Sequence, residues 1–132
     1  MNNRKIGNSF ETELCELLSS YGFWSHCMRQ DNSGQPADII AVRNRVAHLI
    51  DAKVCTHNTF PLSRVEENQD LAMELWKECG NGLGWFALKT DGGIYMLSHY
   101  CIKAYGNQQS SLSLKEIAEL GLPIEKWVKK CK

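Results

Sequence analysis

The chain has 132 residues, 43% of them hydrophobic and 23% charged, and its 15 basic and 15 acidic side chains cancel to zero formal charge. That length suits one domain, residues 1–132, with a single sizeable core. Neutrality argues against a protein that works by coating nucleic acid electrostatically. No run of about 18 apolar residues appears, so no membrane span is expected, and "MNNRKIGNSFETE" lacks the apolar stretch of a secretory signal, which points to the cytoplasm.

The first helix is set by Phe10, Leu14, Leu17, Leu18 and Tyr21 at helical spacing, with Asn8 or Ser9 as its expected cap and Gly22 as its stop. A strand is predicted over Phe23–Arg29, followed by the polar loop "QDNSGQP". Two apolar runs, Ile39–Val42 and Ala47–Ala52, then flank Arg-Asn-Arg and read as a hairpin. Ser63 with Glu66 forms an S-x-x-E capping box for a second helix reaching about Cys79. "GWFALKT" and "GIYMLS" surround Asp91-Gly92-Gly93, a strong hairpin signal. A short capped helix, Ser113–Leu120, precedes the tail "LPIEKWVKKCK", expected to be helical or irregular. The order α-β-β-β-α-β-β-α predicts an α/β domain with a mixed sheet flanked by helices.

Six dispersed cysteines without a CxxC pair read as reduced thiols. Cys55-Thr56-His57 and His99-Tyr100-Cys101 could converge on zinc, although their spacing matches no common finger.

The chemistry is concentrated at the ends of the first hairpin. Asp38 opens one apolar strand, while Asp51 and Lys53 close the other on a shared face, with Ala52 opposite. Isolated charges on a buried strand cost several kcal/mol unless paired or bound to metal. Two neighbouring carboxylates repel, and a divalent cation relieves that repulsion. Oxygen ligands of this kind suit Mg²⁺, with Mn²⁺ able to substitute. A lysine beside such an ion can orient a water and stabilise charge on a phosphorus under attack, so the set reads as a phosphodiesterase site. Glu11 and Glu13 sit on opposite edges of the first helix's apolar face, and the helical wheel does not choose between them. Gln69 falls between Met73 and Trp76 on the buried face of the second helix, where an amide needs partners. A backbone hydrogen bond and a water-orienting role both satisfy it.

The segments "GNSFETEL", "GQPADIIAV", "AHLIDAK" and "FPLSRVEENQ" together resemble the PD-(D/E)XK nucleases, specifically the Holliday-junction resolvases of the RecU and archaeal Hjc type. The resemblance covers roughly residues 7–98. It implies a restriction-endonuclease-like fold with an αβββαββ core and a Mg²⁺-dependent endonuclease. It also implies catalytic Glu11, Asp38, Asp51, Lys53 and Gln69, with Glu11, Asp38, Asp51 and the Ala52 carbonyl as metal ligands. The family's "PD" is here Pro36-Ala37-Asp38, and its usual Glu of ExK is Asp51, one methylene shorter. RecU proteins insert a stalk ahead of the catalytic Asp where this chain has only "DNSGQPA", which makes it nearer Hjc in build.

Arg4, Lys5, Arg29, Arg43, Arg45 and Lys89 are candidates for tracking DNA phosphates, and Ser33 for touching one. The resemblance implies a homodimer, since two nicks and a two-fold substrate match a two-fold axis. The expected activity is resolution of branched or four-way DNA in recombination and repair, in a phage or other mobile element. The rivals are a same-fold nuclease for flaps, nicks or restriction-type targets, a non-cleaving DNA-binding or inhibitory protein, and a zinc module.

Overall fold

Strand β3 (Val46–Val54) is the longest in the molecule and the axis on which the rest is arranged. A computed structural model describes residues 3–28 and 37–131, with side chains from residue 9 onward. Helix α1 (Asn3–Ser20) leads into β1 (Trp24–Cys27), and β2 (Ile39–Arg43) joins β3 through the two-residue turn Asn44-Arg45. Both turn residues have positive φ, 53° and 69°, the backbone that matches a tight hairpin to the twist of its strands. A second small strand, β4 (Thr59–Pro61), precedes α2 (Glu67–Glu78). Then come β5 (Trp85–Thr90), β6 (Gly93–Ser98), α3 (His99–Gly106), β7 (Ser111–Ser113), α4 (Leu114–Leu120), β8 (Leu122–Pro123) and α5 (Ile124–Lys130).

The main sheet runs β1-β2-β3-β5-β6-β8, and β4 pairs with β7 separately. Among the described residues only β3 and β5 are parallel, because α2 carries the chain back between them; every other pairing is antiparallel. The sheet is mixed and flanked by helices, as expected. Alternation along β3 sends Ile50 and Ala52 into one core, with Phe10, Leu14 and Leu18 of α1 and Trp127 of α5. Leu49 goes into the other, with Met73, Phe86 and Ile117. Asp51 and Lys53 continue the Leu49 side, which is the side α2 covers. At Gly84 an added Cβ would lie 2.6 Å from Met73 Cγ, so this glycine is what lets the helix settle so close to the sheet.

Several local expectations change. Helix α1 runs straight through Asn8 and Ser9, so neither caps it. The strand expected over residues 23–29 is shorter, Trp24–Cys27. Ser63 lies in a 3₁₀ turn, Leu62–Arg64, and the second helix starts only at Glu67, with Glu66 as its cap. Helix α3, strand β7 and the β4–β7 pair were not anticipated. Ser98 starts α3 by accepting the Cys101 amide at 3.1 Å. The Ser113 cap of α4 is as expected, with Glu116 completing the box. Among the described residues no helix is long and apolar enough to cross a membrane.

Candidate active site

Two hydrogen bonds to the β3 backbone, one from the Asp38 main chain and one from its side chain, bring Asp38 to the middle of the strand. Its amide donates to the Ile50 carbonyl at 3.1 Å, and its Oδ2 accepts the Ala52 amide at 2.7 Å. Asp38 is 6% exposed and Asp51 fully buried. Burial pushes the Asp51 carboxyl well above the usual carboxylate range, and the charge of Asp38 pushes it further; Lys53 pulls the other way.

Lys53 Nζ lies 3.2 Å from Asp51 Oδ2 and donates to Gln69 Oε1 at 3.2 Å. Gln69 Nε2 in turn donates to Asp51 Oδ1 at 3.1 Å. The three side chains close a ring. Gln69 is held from behind, because its Oε1 also accepts the Glu66 amide at 3.2 Å as the third residue of the helix. The capping and water-orienting readings of this glutamine are therefore not alternatives: one side chain does the first and is aimed at the carboxylate by it. Despite the ion pair, Asp51 Oδ2 is buried without a hydrogen-bond partner. A buried carboxylate whose Oδ2 meets only a lysine, beside a second buried carboxylate, is a donor set that a hard divalent cation fits.

The glutamates separate. Cys27 donates its thiol to the Glu11 carbonyl at 3.5 Å, and burial with the neighbouring Cys15, Glu11 and Asp38 raises that thiol to about 12. Glu11 thus lies on the Asp38 side. Glu13 turns away to Lys89, 2.6 Å distant.

The candidate DNA residues scatter. Arg43 faces inward, its guanidinium over Phe23 at 4.3 Å and donating to the carbonyls of Tyr21, Val128 and Cys131. Arg45 is exposed at the hairpin tip, roughly 20 Å along the strand from Asp51. Lys89 is held by Glu13 over the Phe10 ring. Arg29 and Ser33 lie outside the described residues, as do the side chains of Arg4 and Lys5.

A model of the archaeal Holliday junction resolvase family (Hjc) matches residues 2–132. The chain belongs to that family. Its fold is also that of a solved Hjc from Archaeoglobus fulgidus, described as a Holliday junction resolvase from an archaeal hyperthermophile. The TM-score is 0.71 at 18% identity, covering 92% of this chain and 99% of that one. A search of curated proteins found no match. This Hjc-family chain is a junction-resolving nuclease, and its family implies a divalent metal.

The Hjc-family chain has a second polar cluster that its motifs do not announce. Asp70, Glu74 and His99 place ligand-type atoms within 4.8 Å of one another. His99 Nε2 is 2.6 Å from Asp70 Oδ1, and Lys103 Nζ is 3.1 Å from Asp70 Oδ2. The i, i+4 spacing of Asp70 and Glu74 was a readable sign of a shared helix face; that α3 would bring His99 and Lys103 to it was not. The proposed zinc quartet is not assembled, because Cys55 is buried in the core, His57 is exposed and His99 is committed to Asp70.

Proposed function

We propose that this nuclease cuts branched DNA, four-way junctions above all, at the Asp38–Asp51–Lys53–Gln69 site with Mg²⁺, and that Mn²⁺ can replace it. The observation that carries this reading is the fully buried Asp51, set beside the buried Asp38 and ion-paired through Oδ2 to Lys53 at 3.2 Å. Asp38, Asp51 and the Ala52 carbonyl would hold the ion, with Glu11 on the Asp38 side. When bound, the ion supplies Lewis acidity toward the phosphate and lowers the pKa of water.

The chain's own groups do the rest. Lys53 brings a positive charge to where negative charge grows on the phosphate, in a site that excludes most water. Gln69 fixes that ammonium and leaves Asp51 no freedom to turn away. Two copies cut opposed strands. Support for a dimer comes from α2, where Leu71 is 59% exposed and Leu75, 60% exposed, lines a groove with Met28, Ile40, Leu49 and Trp76.

Labelled four-way junction, flap and linear duplex incubated with Mg²⁺, Ca²⁺ or EDTA test the reading. Paired nicks in the junction are expected with Mg²⁺, binding without turnover in Ca²⁺, and no cleavage in EDTA. Full activity in excess EDTA would remove the two-carboxylate site, and preference for flap or duplex would replace the substrate.

A further inference from the structure

We infer that the groove running from Ala52 to Arg64 seats the phosphodiester backbone of the DNA strand next to the bond that is cut. This rests on the proposed nuclease site and extends it to residues outside the catalytic motif.

The groove starts at Ala52, the residue between Asp51 and Lys53 on β3. Among the described residues the β2–β3 ladder ends at Ile39 and Ile50; past it the Ala52 amide is taken by Asp38 Oδ2, and no strand pairs with the β2 side of Lys53 and Val54. A cavity of about 480 Å³ opens along this edge, bounded by Val54, Thr56, His57, Thr59 and Arg64. Its far wall follows from alternation in β4: Phe60 is buried as the anchor, which turns Thr59 and Pro61 outward. The connection between strand and wall is a forced one. His57 and Asn58 both have positive φ, 57° and 55°, a conformation that non-glycine residues rarely adopt. The turn leaves Thr56 and His57 exposed at the rim.

The lining suits a polyanion. It offers two hydroxyls, an imidazole and a guanidinium, and among the described residues it contains no carboxylate. In a chain with as many acids as bases, that is a local excess of donors. Arg64 is also prepared for the task. Its Nη1 donates to the Val54 carbonyl at 2.6 Å and its guanidinium lies 5.7 Å from the Phe60 ring centre. That single bond fixes the fork and leaves its other N–H groups for phosphate, so little entropy is lost on binding. Arg43, by contrast, has spent its guanidinium on three carbonyls.

The test is anisotropy with the full-length protein and fluorescent four-way junction or duplex, in Ca²⁺, across a salt series. Arg64→Gln should weaken binding to both DNAs about three- to tenfold and lower the slope of log affinity against log salt by about one. Arg64→Lys should keep the slope. His57→Asp, at an exposed site whose left-handed backbone Asp tolerates, should weaken binding at least as much. If Arg64→Gln fails to fold, His57→Asp decides alone. Wild-type slope and affinity in these variants, with wild type binding the junction, would overturn the groove assignment while leaving the nuclease site standing. A wild type that binds neither DNA would overturn both.

Discussion

Gln69 and Asp70 are neighbours on α2, yet the polar clusters they join are built on opposite principles. Asp70 has everything it asks for. Burial alone would raise its pKa, but hydrogen bonds from His99 and Lys103 outweigh that and hold it below the usual carboxylate range. Asp51 is deeper and faces another carboxylate, with Lys53 as the cation that opposes the resulting rise in its pKa. One cluster is satisfied by the fold; the other buries two carboxylates against one lysine, the arrangement to which the proposed ion would bind. Carboxylates held above their normal range by burial and a like charge cluster at functional sites.

The largest test of that contrast is to neutralise each aspartate. Asp51→Asn should abolish nicking of a junction in Mg²⁺ while DNA binding persists or tightens. It should also raise the melting temperature of the metal-free protein, since an amide costs less to bury than a charged carboxylate. Asp70→Asn should do the reverse, leaving nicking within about threefold of wild type and costing about 1–3 kcal/mol of stability through a weakened charge-assisted bond to a buried histidine. Lys53→Ala belongs with Asp51 and should lower cleavage about a hundredfold or more. Calorimetry and a gel-based nicking assay on the same preparations read both axes. A nicking defect in Asp70→Asn and none in Asp51→Asn would invert the assignment.

Gln69 stands between the two clusters, and its variant should show both signatures in smaller measure. Gln69→Ala removes bonds to Asp51, Lys53 and the Glu66 amide. Stability should fall by about 1–3 kcal/mol. The rate per folded molecule should also fall, at least about tenfold, because Lys53 loses its only other anchor among the described residues. A normal rate from a less stable protein would make Gln69 a helix cap and nothing more.

That the candidate residues lie together was legible because strand alternation and short spacings are local. Asp51 and Lys53 share a face by period two, and Asp38 joins them because the hairpin turn fixes register. Gln69 was legible as a buried polar residue at a helical position. What could not be read depends on contacts between elements distant in sequence. Arg43 and Arg64 look alike in the chain, yet one guanidinium is consumed by carbonyls near the C-terminus and the other is held at a groove by the strand ten residues before it. The Asp70–His99 pair spans 29 residues and needed a helix that the pattern did not announce. Glu11 and Glu13 were undecided on the helical wheel, and it is Lys89, 76 residues from Glu13, that separates them.

The smallest predicted effect is also the one in which the two clusters differ in sign. For Asp70 the folded pKa lies below the unfolded value of about 3.9. The stability it contributes is therefore complete above that value and is lost as pH falls through the folded one. For Asp51 the folded pKa is raised. Its contribution is complete below about pH 3.9 and is lost as pH rises through the folded value, where the buried carboxylate ionises. Melting temperatures of metal-free wild type and the two Asn variants, taken from pH 3 to pH 8, separate these cases. The stabilising effect of Asp51→Asn should grow with pH, and the destabilising effect of Asp70→Asn should shrink in acid. Adding Mg²⁺ at pH 8 should raise the wild-type melting temperature and leave Asp51→Asn nearly unmoved, because an ion relieves only a carboxylate pair that is charged. Parallel curves for all three proteins across this range would mean that both aspartates are equally well satisfied, and the contrast between the clusters would be lost.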